Sequence, residues 1–329
     1  VAMKATVPDT MALEKIHERF TTVSVCKKGT GTTYMLQIKN LTLTHKKDLR
    51  EILSNFSCVF NNGDKAVIIG EEGNGKSTLL KWLYDPSLVE EYCEAEGERL
   101  VSGEVLGYLA QELPKEDQQK SVYEFFSEQE SFWNQTPKEL NQKAVKFHIA
   151  PDFFYREQQM STLSGGEKVK AQLMRILFAE PTVLLLDEPS NDIDIETLET
   201  LEELILSWDK IVIYISHDET LIERTANKII HIEQIRRKTK SRFCIANTSY
   251  TEYLKNRSSQ MENQARQAAD ERRQKQIRDE KFQRIYQSVE HAQAVITRQN
   301  PSGGRLLKKK MHAVKSMGRR FEREDENMT

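Results

Sequence analysis

The feature that most constrains this chain is an eight-residue segment from Gly70 to Ser77, which reads Gly-Glu-Glu-Gly-Asn-Gly-Lys-Ser. It fits the pattern GxxxxGK[ST], in which glycines let backbone N–H groups curl around phosphate oxygens and a helix N-terminus adds positive potential. An apolar run precedes it (65–69) and an amphipathic run follows it (76–84). That is the strand–loop–helix context that the pattern requires. We therefore predict a phosphate-binding loop rather than a glycine-rich turn with a surface lysine.

This loop is expected to hold a nucleoside triphosphate. Lys76 would reach the β- and γ-phosphates, and the Ser77 hydroxyl would bind Mg²⁺. The predicted nucleotide-binding residues of the loop and of the first helical turn are Gly70, Glu71, Glu72, Gly73, Asn74, Gly75, Lys76, Ser77 and Thr78.

A pair of carboxylates, Asp187 and Glu188, follows the apolar run 182–186. Ligands of open α/β sheets bind at the carboxyl ends of the strands, so both side chains are expected beside the phosphate. Asp187 would hold Mg²⁺ through water, and Glu188 would polarise the attacking water as a general base. The alternative, that the two acids only cap the next segment, loses weight once a phosphate loop is present.

A second glycine-rich segment comprises Leu163, Ser164, Gly165, Gly166 and Glu167. A serine and two glycines at a helix start make a further phosphate-binding N-terminus. Because one nucleotide does not need two such sites from one subunit, we interpret the segment as binding the γ-phosphate of a nucleotide held by another domain. The segment also predicts a capping box, in which Ser164 and Glu167 cap the helix, and the two roles are compatible.

The hydrophobic pattern from 35 to 245 predicts an α/β fold. Short apolar runs at 65–69, 182–186, 210–215 and 228–232 alternate with amphipathic runs such as 195–208. This alternation indicates a largely parallel sheet covered on both faces by helices. A polar stretch with helical segments at 121–130 and 138–147 predicts a helical subdomain over about 112–180. Residues 1–34 show no clear period, and we expect a poorly structured extension there.

The C-terminal part, 246–329, is predicted to be a helical hairpin. Phe282, Ile285, Val289, Ala292 and Ile296 lie at helical spacing, and a second apolar stripe follows a predicted turn at 300–304. Residues 251–329 hold 18 Lys and Arg against 11 Asp and Glu, a net charge of +7, although the whole chain has −2. Between Glu290 and Glu322 the charged residues are all basic: Arg298, Arg305, Lys308, Lys309, Lys310, Lys315, Arg319 and Arg320.

The hairpin carries more positive charge than solubility requires, and attraction to the phosphate backbone of a nucleic acid explains this excess. Because aromatic residues are sparse there, recognition of folded RNA by shape and charge fits better than base stacking. No run of 18 apolar residues that could span a membrane is present, and the four scattered cysteines form no zinc or disulfide pattern. We expect a cytoplasmic protein.

Six motifs in order resemble those of the ATP-binding-cassette ATPases: the loop at 70–77, Gln111 in Gly-Tyr-Leu-Ala-Gln-Glu, Leu163–Glu167, Asp187-Glu188, the run from Ser190 to Asp194, and Ser216-His217-Asp218. The resemblance implies an ATP-binding cassette with a mostly parallel core sheet, a β-rich edge and a helical subdomain, and it implies ATP and Mg²⁺ as cofactors. By the same resemblance Gln111 senses Mg²⁺ and the γ-phosphate, and Asp194 lies in a loop at the dimer interface. His217 contacts the γ-phosphate, and His45 occupies the position of an aromatic residue that stacks on adenine.

The run Glu-Pro-Ser-Asn-Asp-Ile-Asp at 188–194 is similar to that of the ABC-F proteins, and the basic hairpin is similar to the linker with which that family reaches into the ribosome. The resemblance implies ribosome or rRNA binding, as a translation factor or in ribosome protection against antibiotics. The alternatives are the ATPase subunit of a membrane transporter and a nucleotide-binding regulator with little turnover. The chain stops where the resemblance places a second cassette, so we expect weak hydrolysis unless a second cassette joins, either in trans or as the missing C-terminal half.

Overall fold

The computed structural model describes residues 35–101, 103–235, 240–295 and 301–326. The predicted extension at 1–34 lies outside the described residues. The chain divides into two compact units, Val1–Ile245 and Ala246–Thr329, which we call the α/β unit and the helical unit.

A six-stranded sheet forms the centre of the α/β unit, with strand order β5-β6-β7-β3-β8-β9. The pairs β5–β6, β6–β7, β7–β3 and β3–β8 are parallel. Every residue of β6 and β7 is buried, as expected for strands covered on both faces. The predicted α/β fold with a mostly parallel core sheet is confirmed. The strands are β3 (Lys65–Ile69), β5 (Leu106–Leu109), β6 (Val183–Asp187), β7 (Ile211–Ile215), β8 (Lys228–Ile235) and β9 (Lys240–Ala246).

A second sheet is antiparallel and has the order β2-β1-β4. It comprises β1 (Met35–His45), β2 (Glu51–Asn61) and β4 (Cys93–Val101). In β1 Leu36, Ile38, Leu41 and Leu43 are buried in the same hydrophobic core as residues of the parallel sheet. This sheet is the β-rich edge that the resemblance implied.

Helices and short helical turns connect the strands. Helix α1 (Lys76–Tyr84) follows β3, and α8 (Ile195–Ser207) follows β6. Between β5 and β6 the chain forms short helices and the longer α7 (Gly165–Phe178), packed around a cluster of phenylalanines centred on Phe126. The remaining helices of this unit are α2 (Ser87–Glu90), α3 (Lys115–Gln118), α4 (Val122–Ser127), α5 (Glu130–Trp133), α6 (Pro137–Lys146), α7 (Gly165–Phe178) and α9 (Glu219–Thr225), with 3₁₀ turns at Pro151–Tyr155 and Met160–Thr162.

The helical unit contains two long helices, α10 (Tyr250–Val295) and α11 (Pro301–Glu326). Phe282 packs against Phe321 with ring centroids 5.9 Å apart, and Gly318 faces the Phe282 ring. The guanidinium of Arg278, one turn earlier, lies over the Phe321 ring. Residues later in α10 thus contact residues earlier in α11, so the two helices are antiparallel.

Two details of the predicted hairpin are wrong. The predicted turn at 300–304 is largely helical, because Pro301 begins α11, where proline is tolerated since the first helical N–H has no intrahelical acceptor. Ile285 was expected in the apolar seam, yet its side chain is 44% exposed, and Tyr286 is half-buried instead. Ile296 lies outside the described residues. Among the described helices, none is both long and apolar enough to traverse a lipid bilayer.

Candidate nucleotide-binding site

The topology of the parallel sheet brings the predicted site residues to one edge. Asp187 ends β6 and lies opposite Ile215 of β7, which in turn lies opposite Ile68 of β3. Because parallel strands end at the same edge, the segments that follow β3, β5, β6 and β7 meet there. These segments carry the loop from Gly70, Gln111, Glu188 and His217.

The phosphate loop requires glycine at the start of α1. Gly75 is the residue before the helix, and its φ of 82° is left-handed. A Cβ at this position would lie 2.0 Å from Cγ2 of Ile52, so both backbone conformation and space favour glycine. No side chain caps the helix start, and no acidic residue lies in its first turn. The N-terminal N–H groups of α1 are therefore not satisfied by a side-chain cap.

Lys76 folds back over the loop. Its Nζ donates hydrogen bonds to the carbonyl oxygens of Gly70 at 2.8 Å and Glu71 at 3.0 Å. Burial lowers the pKa of Lys76, and the nearby carboxylates of Glu188, Glu72 and Asp187 act in the opposite direction. An ammonium group in this position can move onto phosphate oxygens as an anionic ligand enters.

Asn74 links the phosphate loop to strand β8 through a hydrogen bond. It is 1% exposed, and its Nδ2 donates to the carbonyl oxygen of Ile232 in β8 at 3.2 Å. Its Oδ1 has no hydrogen-bond partner in the described protein. The remaining loop residues, Glu72 and Gly73, are exposed, and Thr78 lies in the first turn of α1.

The expected metal-binding pair is in contact. The Ser77 hydroxyl donates to Oδ1 of Asp187 at 2.9 Å, and Asp187 is 1% exposed. Burial raises the pKa of this carboxyl group, whereas hydrogen bonds from Ser77 and Tyr108 lower it. A buried carboxylate beside a hydroxyl offers the hard oxygen ligands that Mg²⁺ prefers, so the donor set fits that ion.

Glu188 is surrounded by side chains that can donate to it. Gln111 donates through Nε2 to Oε2 at 3.4 Å, His217 places Nε2 3.6 Å from Oε1, and Asn191 donates to Oε2 at 2.5 Å. Gln111 thus contacts Glu188, whereas Asp187 is held by Ser77 and Tyr108. Glu188 has a φ of 49°, a left-handed conformation that is costly for glutamate.

Three residues of this site were missed from the sequence. Tyr108 donates to Asp187 through its hydroxyl at 3.2 Å, Asn191 contacts Glu188, and Arg50 reaches the carbonyl oxygen of Gly73 at 3.4 Å. Tyr108 could have been found, because it lies in the apolar run that precedes Gln111 and would belong to a strand beside Asp187. Arg50 had no local signal, because its approach to the loop depends on the packing of β2.

His45, the predicted adenine contact, lies at the end of β1. Its Nδ1 is 2.8 Å from Oδ1 of Asp48. The imidazole is thus engaged within its own loop, and a role toward the base stays a prediction.

The predicted second phosphate-binding segment forms a capped helix start. Ser164 Oγ accepts from the Glu167 N–H at 3.2 Å, and Oε2 of Glu167 accepts from the Ser164 N–H at 3.0 Å. A Cβ on Gly165 would lie 2.0 Å from the carbonyl oxygen of Asp192. Gly166 and Leu163 are buried. In the described residues, the side chains of this segment bond to each other and to Arg156 rather than to the phosphate loop.

Asp194, expected in an interface loop, caps α8. Its side chain accepts from the Thr197 N–H at 2.8 Å, and this bond lowers the pKa of its carboxyl group. The loop that leads to Asp194 packs against Gly165 through Asp192, so the second glycine-rich segment and this loop form one surface.

The predicted RNA-binding residues cluster on α11. Arg305, Lys308, Lys309, Lys310, Lys315, Arg319 and Arg320 are exposed, and Arg298 lies outside the described residues.

Comparison with known proteins is consistent with this geometry. Residues 53–191 match the family described as ABC transporter. ATP-binding protein Uup of Escherichia coli K12 is 33% identical over 187 residues, which are 54% of this chain and 28% of that protein. Uup of Buchnera aphidicola (Schizaphis graminum) is 30% identical over 59% of this chain and 32% of that protein.

Ribosome protection protein VmlR of Bacillus subtilis 168 is 30% identical over 58% of this chain and 33% of that protein. The matches thus span about a third of the length of these relatives. A solved dimeric ATP-binding cassette bound to ADP and Pi aligns at 21% identity with a TM-score of 0.47, over 60% of this chain and 93% of that chain. Residues 53–191 thus carry an ATP-binding-cassette domain, and the similarity to Uup and VmlR supports an ABC-F-type ATPase.

Proposed function

We propose that this chain binds ATP with Mg²⁺ and hydrolyses it to ADP and phosphate. The observation that carries the proposal is the convergence of Lys76, Ser77, Asp187 and Glu188 at one edge of the parallel sheet. An uncapped helix start supplies donors for phosphate oxygens, and a buried carboxylate with a neighbouring hydroxyl supplies oxygen ligands for the cation.

The residues of the site then have separate roles. Lys76 exchanges its bonds to Gly70 and Glu71 for bonds to phosphate oxygens. Mg²⁺, when bound, offsets charge on the phosphate oxygens. Glu188 accepts the proton of the attacking water at a carboxylate oxygen, while Gln111 and His217, which lie within 3.4 and 3.6 Å of that carboxylate, orient it and the water.

Turnover is proposed to require a second cassette. In the described residues the side chains from Ser164 to Glu167 bond to each other and to Arg156 rather than to the phosphate loop, which supports a role toward the nucleotide of a partner. The relatives are about three times longer than the matched region, which supports a further cassette as the partner. Such a partner is a second copy of this chain, another cassette in trans, or a further cassette in a C-terminal half of a longer chain.

The test is a titration of nucleotide binding together with turnover measured at increasing protein concentration. We expect a fluorescent ATP analogue to bind more tightly with Mg²⁺, and turnover per chain to rise with concentration. Turnover per chain that stays constant from nanomolar to micromolar protein would contradict the need for a second cassette. Absence of nucleotide binding would contradict the function itself.

A further activity, binding to ribosomal RNA, is supported by the basic surface of α11. Seven exposed Lys and Arg side chains lie on this helix between 305 and 320 without an acidic residue among them. The other side of α11 carries the half-buried or buried Leu307, Met311, Val314 and Phe321. The basic side chains are exposed, so a phosphate backbone can reach them. The relative VmlR is named as a ribosome protection protein, which supports the ribosome as the partner and protection from antibiotics as the role.

Ribosome pelleting tests this proposal. Replacing Lys308, Lys309 and Lys310 with Gln should weaken co-sedimentation and reduce its dependence on salt, because fewer counterions are released. The matched control replaces Arg272, Arg273 and Lys275, exposed bases of α10 in a run that acids flank on both sides, and removes the same charge. Equal loss in both variants would indicate nonspecific charge. Unchanged binding in the first variant, or recovery with membrane vesicles instead of ribosomes, would contradict the proposal and favour a transporter subunit.

A further inference from the structure

Two hydroxyl groups hold the Asp187 carboxylate, one on each oxygen. Ser77 donates to Oδ1 at 2.9 Å, and Tyr108 donates to Oδ2 at 3.2 Å. The two donors come from different elements: Ser77 lies in the first turn of α1, and Tyr108 lies in β5, which pairs with β6. The carboxylate is therefore fixed in rotation as well as in place.

The ring of Tyr108 is itself held. It stacks on Tyr84, at the end of α1, with ring centroids 5.1 Å apart and an angle of 25° between the ring planes. Burial and the adjacent carboxylate raise the pKa of the Tyr108 hydroxyl, so this group stays a neutral donor under physiological conditions.

The two hydroxyls contact different oxygens of Asp187, and of the two only Ser77 is proposed to bind the cation. A cation that binds Ser77 takes one lone pair of its oxygen, and the Ser77 O–H can still donate to Oδ1 of Asp187, which keeps a second acceptor site for the cation or one of its waters. Tyr108 lies on the other oxygen, and nothing in cation binding at Ser77 requires its hydrogen bond to break. Oδ1 would then face the cation or one of its waters, while Oδ2 remains bound to the phenol.

We infer that Tyr108 is a positioning residue that limits Asp187 to one oxygen toward the cation and thereby favours Mg²⁺ over Ca²⁺. The inference rests on the proposed function. Mg²⁺ requires near-octahedral geometry and keeps several waters, so a carboxylate that offers one oxygen suits it. Ca²⁺ accepts six to eight ligands and often takes both oxygens of a carboxylate, which the bond from Tyr108 disfavours.

The test compares Tyr108→Phe with the wild-type chain. The affinity for a fluorescent, non-hydrolysable ATP analogue is measured at increasing concentrations of Mg²⁺ or Ca²⁺. The half-point is the cation concentration that gives half of the maximal increase in this affinity. Loss of the hydroxyl should raise the Mg²⁺ half-point by about 10-fold, in the range seen when a group behind a metal ligand is removed. The Ca²⁺ half-point should stay the same or fall. Affinity in EDTA should match that of the wild type, which reports that the loop is intact.

Tyr84→Phe is the matched control, because it removes a hydroxyl from the stacked pair but leaves the Tyr108–Asp187 bond. It should not shift the ratio of the two half-points. An unchanged Mg²⁺ half-point in Tyr108→Phe, or equal shifts for both cations, would overturn the inference. If nucleotide binding by the wild-type chain responds to neither cation, the proposed function fails, and this outcome is distinct from the other two. A thermal melt of each variant verifies folding.

Discussion

Two glycine-containing helix starts in this chain differ in how their N–H groups are satisfied. Helix α1 begins after Gly75 without a side-chain cap and without an acid in its first turn. Helix α7 begins after Ser164 with a complete capping box and with Glu167 in its first turn. The first start is electropositive and has no side-chain cap, whereas at the second start the N–H groups of Ser164 and Glu167 are occupied by its own side chains. Similar sequences at helix starts can therefore serve different purposes, and the cap distinguishes them.

The largest effect is expected at Glu188, the proposed general base near the start of α1. Glu188→Gln should reduce turnover by about 10²–10⁴-fold, because the amide cannot accept a proton from water. Binding of the nucleotide analogue should remain close to that of the wild type. Glu196→Gln, an exposed glutamate of α8, provides the control. Normal turnover in Glu188→Gln would remove Glu188 from the role of base.

Nucleotide binding by the monomer should depend on the start of α1 and not on the start of α7. Lys76→Ala should weaken binding of the ATP analogue by about 10- to 150-fold, the equivalent of about 1.5–3 kcal/mol for a hydrogen bond to a charged group. Lys168→Ala, which removes a lysine near the start of α7, should leave this affinity nearly unchanged. A comparable loss from both, measured at protein concentrations below any self-association, would show that the two helix starts are equivalent.

Loss of the α7 cap should affect stability. Ser164→Ala removes the acceptor of the Glu167 N–H, and we expect the free energy of unfolding to fall by about 1 kcal/mol. Chemical denaturation measures this change, and a titration of the ATP analogue should show unchanged affinity in the monomer. Weakened monomer binding would indicate that this helix start also contacts the nucleotide of its own chain.

The smallest effect is a pH dependence at Asp187. Burial raises the pKa of this carboxyl group in the folded protein, so its ionised form reduces stability at pH values above the folded pKa. Asp187→Asn should therefore melt at a slightly higher temperature than the wild type near pH 7. The difference should shrink as the pH falls through the folded pKa, because the wild-type carboxyl then becomes neutral. A gap that widens at low pH would contradict the direction of the shift.

Much of the fold could be predicted from periodicity. The strands β3, β6 and β7 were placed to within a residue, because buried parallel strands are continuous apolar runs bounded by turns. The helical segment predicted at 121–130 is instead α4 followed by α5, and α6 starts anew at a second capping box, Thr136 with Glu139. Local propensity does not reveal where packing around Phe126 breaks a helix.

In the helical unit, the prediction of which side chains of α10 pack against α11 was partly wrong. A spacing of three or four residues allows either Ile285 or Tyr286 to follow Phe282, and the sequence alone favoured the more apolar residue. The helix pair buries Tyr286 further and leaves Ile285 44% exposed. The choice depends on the angle at which α11 meets α10, and this angle is a property of the pair.

By itself, the amino-acid order determined the phosphate loop, the buried strand that ends at Asp187, and the capped start of α7, because each depends on neighbouring residues and on hydrogen bonds within a few positions. Only the tertiary structure decided which side chains surround the two carboxylates. Tyr108 reaches Asp187 across a strand pair, and Gln111 and His217 reach Glu188 from the ends of different strands. Sheet order and register set these distances, and they arise from packing between residues far apart in the chain.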